Sequence, residues 1–434
     1  MLKFQGDQRR FDRFSPVVDN DGSTVVVAGG SNLLALDVAT DPNNPSEMYN
    51  VVGSFLRKSQ PRFSKNGSLL YVSNGRFQVL DASNGNPTKL KWHISPEINE
   101  KLGEHGLASF FPPSFSSDEA TAFVTTISGI PAAIDITNGT VLWALDTCAS
   151  LENTEPCDRP YWDQDVPKYH GSLNFGPIVF GGPNVYAINP VDGALYAFAA
   201  KTGAVSWSSK IGSKIGNHLS PEKEDLRFMR EHQPVVSGDM SVVYAGGNHI
   251  SSDSIFHRHV DGAPPTGTSR LYAVSATDGS EVWHLDIAPV DTRRDNDDCE
   301  KDCYWRPCAY LTRPTLSADD STLYVTSTTV RCSQMSEGDA EAPPSSMSAE
   351  LLAINAKDGT VKWKKRVGLA PTTVTAPTES NDGTVIYASM NLHCDEDGPS
   401  IYDGPACDFG SSEPSKFSGG ALLAMNAADG KRLW

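Results

Sequence analysis

The amino-acid sequence predicts an all-β fold, a β-propeller in which seven four-stranded blades are visible. Three observations carry that prediction. A phrase typified by LLAINAKDGTVKW, ending at Trp363, recurs along the chain; a second phrase, typified by QPVVSGDMSVVYAG, precedes each copy; and the two alternate strictly through the 434 residues. Self-similarity at this spacing marks a repeat architecture, each repeat being one supersecondary unit that cannot bury its apolar face alone.

The QPVV-like phrase opens each repeat. Its seven prolines are Pro16, Pro61, Pro113, Pro177, Pro234, Pro314 and Pro377. Each copy reads as a short strand A carrying the proline, a turn, and an apolar strand B. A proline lacks the N–H a ladder needs, so strand A belongs at an edge, and the innermost place of a blade provides one.

The LLAI-like phrase supplies strands C and D. Close copies end at Trp143, Trp207, Trp283, Trp363 and Trp434, with turn glycines at Gly139, Gly203, Gly279, Gly359 and Gly430. A looser copy, FQVLDASNGNPTKLKW, ends at Trp92, and LLALDVATDPNNP near Leu34 has neither the glycine nor the tryptophan. Alternating runs rich in Val, Tyr, Ile and Thr, bounded by Asn-Gly and Asp-Gly pairs, predict strands joined by tight primed turns, because those pairs accept positive φ.

A four-stranded sheet has two open edges and two faces to cover, and radial stacking of such sheets around an axis solves both problems. The small alanine of strand C leaves room for a neighbouring indole, and the glycine serves the turn. Tryptophan burial dominates such contacts, so truncating Trp283 to alanine is expected to cost roughly 3–5 kcal/mol.

The phrase Ala-x-[Asp/Asn/Ser/Ala]-x-x-x-Gly-x-x-x-Trp resembles the tryptophan-docking repeat of the pyrroloquinoline-quinone (PQQ)-like β-propellers. That family includes quinoprotein alcohol dehydrogenases and a bacterial outer-membrane assembly lipoprotein. The resemblance covers almost the whole chain and implies the fold; it implies less about activity, because many members bind no quinone.

Repeats running from end to end leave no place for a domain boundary, so residues 1–434 read as a single propeller domain. A chain of this length buries about three-quarters of its unfolded surface and needs no metal or disulfide to hold a core. A net charge of −17 argues against nucleic acid and anionic membrane surfaces as partners. No apolar run is long enough for a transmembrane helix, and MLKFQGDQRR lacks the apolar centre of a signal peptide. Trp434 stops where other copies continue strand D, and LKFQGDQRRF resembles the continuation after Trp363. Two expectations follow: the N-terminal segment completes the seventh blade, or the chain is part of a longer protein with an eighth.

Strands alternate direction within a blade. The tight A-to-B and C-to-D turns therefore share one face, while B-to-C loops and D-to-A connections share the other. The second set holds the insertions at 147–172, 210–231, 248–269, 288–311, 328–349 and 391–418. Function concentrates on such loops, which makes this built-up face the candidate site.

All eight cysteines lie on or beside it. Local even pairing reads as disulfides bracing loops in an oxidising, extracytoplasmic or secreted setting: Cys148 with Cys157, Cys394 with Cys407, Cys308 with Cys332, and Cys299 with Cys303. A zinc ion held by Cys299, Cys303, Cys308 and Cys332 is the rival arrangement, with a first spacing longer than structural zinc prefers. Asn66 and Asn138 stand in glycosylation sequons.

The same face carries the candidate ligand- or partner-binding residues. Trp162 and Trp305, the latter beside Arg306, are exposed-aromatic anchors of the kind binding surfaces use, or caps on the loops' own small cores. His170 lies near Trp162; His249, His257 and His259 come from one insertion and could meet a transition metal or act as polar loop residues. The acidic stretch 291–302 lacks the alternating pattern of a calcium loop. No catalytic residue and no metal ligand is assigned.

The quinoprotein branch also carries a pair of adjacent cysteines above its cofactor, and no Cys-Cys dipeptide occurs here. The leading expectation is therefore a non-catalytic binding or scaffold propeller presenting a disulfide-braced loop face to a protein or glycan, with no cofactor. The alternative is a PQQ- and Ca²⁺-dependent dehydrogenase of alcohols or sugars. Oligomeric state is not legible in the sequence.

Overall fold

The computed structural model describes residues 2–3, 17–18, 22–29, 32–37, 46–52, 62–64, 67, 69–73, 77–81, 89–93, 113–126, 129–136, 139–145, 175–189, 193–211, 233–248, 269–288, 307–331, 348–369, 376–393 and 418–433. These residues form seven antiparallel sheets, one per predicted repeat.

Blade 5 shows the unit. Strand A is Val235–Val236, B is Val242–Asn248, C is Ser269–Ser275 and D is Glu281–Ile287, hydrogen-bonded in that order. Strand A is short in every blade because a proline lies at its start; Pro113, Pro177, Pro234, Pro314 and Pro377 are all buried there. The A strands of blades 3 and 4 touch, as do those of blades 4 and 5, which puts strand A at the axis as the missing proline N–H predicts.

Two blades depart from the unit. In blade 6, strand B (Thr322–Arg331) outlasts the two-residue strand A (Thr315–Leu316), and an additional strand, Pro307–Leu311, fills the remaining edge. The addition pairs backbone groups that would otherwise form an open edge. In blade 7, strands A to C are Thr378–Glu379, Val385–His393 and Ser418–Asn426, and the outermost position is taken by Leu2–Lys3. Leu2 stands opposite Leu422 as Lys365 stands opposite Leu351 in blade 6. Just before that point along the same edge, Arg432 bridges Met425 and the Leu433 N–H donates to the Ala424 carbonyl, at 2.9 Å. Blades 7 and 1 are neighbours, since a β-carbon at Gly22 would lie 3.8 Å from the Asn381 amide nitrogen.

The turns differ from the sequence expectation. A type I′ two-residue hairpin, the primed turn that Asn-Gly and Asp-Gly favour, needs two positive φ values. Here the C-to-D turn of blade 5 spans Ala276 to Gly279, closed by Gly279 N–H to Ser275 O at 2.8 Å, and within it only Gly279 is left-handed, at φ 72°. The longer turn sets a bulge one step further on: the register shifts after Ala273, and likewise after Ala35, Val79, Ala133, Ala197 and Ala353.

Apolar side chains collect between blades. One cluster joins Tyr244, Leu271 and Ala273 of blade 5 to Leu323, Ile354 and Ala356 of blade 6; another joins Tyr324 and Ala353 of blade 6 to Ile386, Leu423 and Met425 of blade 7. From blade 2 to blade 7 the described core is thus a series of seams, each shared by two sheets.

Candidate functional site

Each well-described outer seam is closed by one indole. Trp143, Trp207, Trp283 and Trp363 reach from strand D of their own blade onto the next, where their Nε1–H donates to the carbonyls of Ala200, Ala276, Ala356 and Ala427 at 2.8, 3.1, 3.0 and 3.0 Å. The indole lies on the next blade's turn glycine. A β-carbon at Gly203, Gly279, Gly359 or Gly430 would come within 2.5–2.7 Å of that ring. The glycine therefore has two jobs, positive φ and close approach, where the sequence showed only the first. The strand-C alanine faces the tryptophan of its own blade instead: Ala197 is the cross-strand partner of Trp207 and Ala273 of Trp283.

A tyrosine on strand B completes the lock. Tyr186 and Tyr244 donate their hydroxyls to the Ala276 and Ala356 carbonyls, each at 3.2 Å, so each oxygen accepts a tyrosine and a tryptophan from the preceding blade. Burial pushes both phenols above their ordinary pKa. Blade 1 has no such tryptophan; in its register Tyr49 stands opposite Ala35. Trp92 pairs with Val79 as backbone, and its side chain, with all of Trp434, lies outside the described residues. Gly139 has the expected left-handed φ of 73°.

The turn face is held by its own side chains. In the A-to-B turns Ser237, Ser317 and Ser380 donate to Asp239, Asp319 and Asp382, each at 2.6 Å, and the serine oxygens accept from backbone N–H groups across the turn. The aspartates also take a backbone N–H from Ser241, Ser321 and Thr384. The hydrogen bonds from Ser237 and Ser317 are the main reason Asp239 and Asp319 fall to about 2. Neighbouring turns are tied together, the Gly238 N–H donating to Asp320 and the Ala318 N–H to Glu379, both at 2.7 Å.

On the opposite face the B-to-C connections are short in blades 1 to 4, leaving paired ends such as Thr125 opposite Pro131 and Asn189 opposite Ala194. In blades 5, 6 and 7 they are long, leaving from paired ends Asn248 and Ser269, Thr329 and Ser348, and His393 and Ser418. The candidate residues Trp162, His170, His249, His257, His259, Trp305 and Arg306 lie outside the described residues, as do Cys148, Cys157, Cys299, Cys303, Cys332, Cys394 and Cys407. Cys308 is placed as backbone only, opposite Val330. Among the described residues no group of three or more His, Cys, Asp or Glu is arranged to hold a metal ion.

Sequence reasoning missed a set of polar side chains at the axis. Arg62 donates to the Pro113 carbonyl of the next blade at 3.4 Å and lies over the Phe115 ring, 5.1 Å from its centroid. The matching position in blade 6, Thr315, reaches the Pro377 carbonyl in the same way. Arg313 donates to Gln233 Oε1 at 2.7 Å, and Gln233 Nε2 donates to the Ile178 carbonyl at 3.2 Å, linking blades 6, 5 and 4. The signal was in view: Pro61-Arg62, Gln233-Pro234 and Arg313-Pro314 each put a polar residue beside a strand-A proline.

A fold of seven stacked blades, six of four strands and one of five, with indoles resting on turn glycines, defines a tryptophan-docked β-propeller. The family model described as "Outer membrane protein assembly factor BamB" matches residues 132–255 and 267–434, and the chain belongs to this PQQ-like propeller family. A search of curated protein sequences returns no match. Among solved structures, the β-propeller domain of Cps50 (Swd1) from Myceliophteria thermophila is similar, with a TM-score of 0.51, 11% identity, and coverage of 89% of this chain and 94% of that one. BamB from Moraxella catarrhalis aligns with a TM-score of 0.41 and 15% identity over 89% of this chain and 96% of that one. Among the described residues no helix is long and apolar enough to cross a membrane.

Proposed function

We propose that the protein is a non-catalytic binding or scaffold propeller that presents its loop face to a protein partner in an extracytoplasmic compartment. One observation carries the reading. The turn face is closed by short, self-bonded turns, while the long B-to-C loops of blades 5, 6 and 7 all leave the opposite face from paired strand ends. A rigid ring with one variable face is the arrangement in which loops recognise and the scaffold only positions them. The family description, an outer membrane protein assembly factor, fits a partner that is itself a protein. Disulfides among the eight loop cysteines would hold such a face in one shape and cut the entropy lost on binding.

The test replaces 249–268 with a Gly-Ser linker of equal length and follows in-cell cross-linking through photoreactive residues placed in that loop and in the turn face of the parent. The reading expects a discrete cross-linked protein from the loop face, lost on replacement, with an unchanged unfolding midpoint. Cross-links from the turn face alone would defeat it, and so would glycan capture by the loop face without any protein. Adding PQQ with Ca²⁺ addresses the dehydrogenase alternative: a thermal shift with dye reduction by alcohols or sugars would replace the scaffold reading with an enzyme. Peptide mapping under non-reducing conditions reads the four cysteine pairings directly.

A further inference from the structure

The outer rim reverses the sign of the molecule at one place. Strand D of blade 6, Val361–Leu369, is the longest outermost strand among the described residues. It carries Lys362, Lys364, Lys365 and Arg366, all exposed, in a chain of net charge −17. The outermost strands of blades 3, 4 and 5 carry one lysine between them, Lys210, and that of blade 5 bears Glu281 and Asp286. Blade 7 extends the patch: a β-carbon at Gly430 would lie 2.8 Å from Lys365 Cγ, and the exposed Lys431 and Arg432 follow that glycine.

Among the described residues one ion pair touches the patch, Glu350 with Lys364 at 3.9 Å. The Lys362 ammonium donates to the Ser321 carbonyl and the Thr322 hydroxyl at 3.1 and 2.6 Å, both neutral acceptors. The carboxylates of the two adjoining turns, Asp358 and Asp429, already accept the N–H groups of Thr360 and Lys431 at 2.9 and 2.8 Å. Lysines on an exposed strand ordinarily keep sheet edges from pairing. That role does not account for the concentration here, because the equally outermost strands of blades 3 to 5 do without it. Strand D also ends the hydrogen-bonding order of blade 6, so over 361–366 no further strand of the described residues lies beyond it.

We propose that this rim is a docking surface for an acidic, extended segment of a partner protein, which adds to the open edge of strand D and sets its carboxylates against Lys362, Lys364, Lys365, Arg366, Lys431 and Arg432. Strand addition supplies main-chain hydrogen bonds, and the side chains supply specificity. The same lysines that repel a like edge select an acidic one. Screening decides the kind of partner. At physiological salt a charge is felt over about 8 Å, so a single strand laid on the rim meets the local positive field. An anionic bilayer, being far wider, would also face the acidic remainder of the chain. The surface is separate from the loop face and stands whether or not that face binds a protein.

The experiment titrates the full chain with a short labelled peptide alternating Glu and Thr, beside the same peptide with Gln for Glu, a version with proline at its centre, and vesicles rich in phosphatidylserine. The Glu peptide is expected to bind, more weakly as salt rises, and to slow amide exchange over 361–366. The Gln and proline versions should bind about tenfold less tightly, the first for lack of charge and the second for a lost ladder bond. Lys362→Gln with Lys364→Gln, Lys365→Gln and Arg366→Gln should weaken the Glu peptide roughly tenfold. Lys201→Glu with Lys210→Glu on blade 4, which alters net charge by the same amount, should leave it unchanged. Should the rim variant fail to fold, acetylation of the parent supplies the answer: bound peptide should shield Lys362, Lys364 and Lys365 and leave Lys201 and Lys210 reactive. Absence of binding, equal loss in both variants, tighter binding to vesicles than to the Glu peptide, or exchange over 361–366 unaltered by saturating peptide would each overturn the surface.

Discussion

The outer seams and the axis are two rings made by the same repeat, and they differ in how faithfully it is copied. At the outer seams four successive tryptophans make the same hydrogen bond to the same carbonyl position and rest on the same glycine. At the axis Arg62, Thr315, Gln233 and Arg313 each contact the neighbouring blade through a different side chain. A uniform ring fixes blade spacing; a non-uniform ring ties neighbouring blades through contacts of differing kind. The contrast predicts larger stability losses from the outer ring than from the inner.

Breaking the outer ring gives the largest effect. Trp283→Ala removes a partly buried indole and its bond to the Ala356 carbonyl, and should cost about 3 kcal/mol, the lower end of the range for core aromatics because one indole edge meets solvent. Chemical denaturation of the variant checks it, and a loss below about 1 kcal/mol would show that seams hold without their indoles. Gly359→Ala attacks the same contact from the other side. Its φ of 76° disfavours any side chain, and the added methyl would stand 2.7 Å from the Trp283 ring, so about 2 kcal/mol is expected from strain and overpacking together. Because both substitutions strike one contact, the double variant should lose much less than the sum.

Much of this was legible because the repeat writes it several times. The alternation of proline and tryptophan phrases gave blade number, strand order and the innermost place of strand A. What escaped was information held between repeats. The glycine's second role depends on an indole sixty or more residues away in sequence, as Trp207 and Gly279 illustrate, and no pattern inside one repeat reveals it. Arg62 and Arg313 escaped for the same reason, since each acts on a neighbouring blade, at the Pro113 carbonyl and at Gln233, rather than within its own local phrase. The loop face reads as a site only through its length and cysteines; insertions carry no periodicity from which to infer their own geometry.

A subtler cut separates the two donors that share one carbonyl. Tyr244→Phe removes only the hydroxyl that donates to Ala356 O at 3.2 Å, and leaves the Trp283 bond in place at 3.0 Å. The carbonyl remains satisfied, so the expected loss is about 1 kcal/mol, measured as a shift in denaturation midpoint at unchanged slope. A loss as large as that of Trp283→Ala would mean that the tyrosine, rather than the indole, seals the seam.

The smallest effect concerns the turn face and sharpens the comparison through pH. Asp239 and Asp319 have folded-state pKa values near 2, lowered from 3.8 chiefly by the hydroxyls of Ser237 and Ser317, and Asp278, Asp358 and Asp382 are lowered in the same direction. A depressed carboxylate contributes stability above its unfolded pKa and loses it as pH falls through the folded one. The turn contribution should therefore be complete above about pH 4 and fade towards pH 2. Glu379, raised mainly by burial, works against this trend, since its protonated form suits the fold. Denaturant midpoints followed from pH 6 to pH 2 should fall less steeply in Asp239→Asn than in the parent, and the difference should vanish at the acid end. A parallel pair of curves would place the acid sensitivity in another part of the ring, because solvent-exposed turns contribute through hydrogen bonds that the ionised carboxylate accepts more strongly than the protonated one.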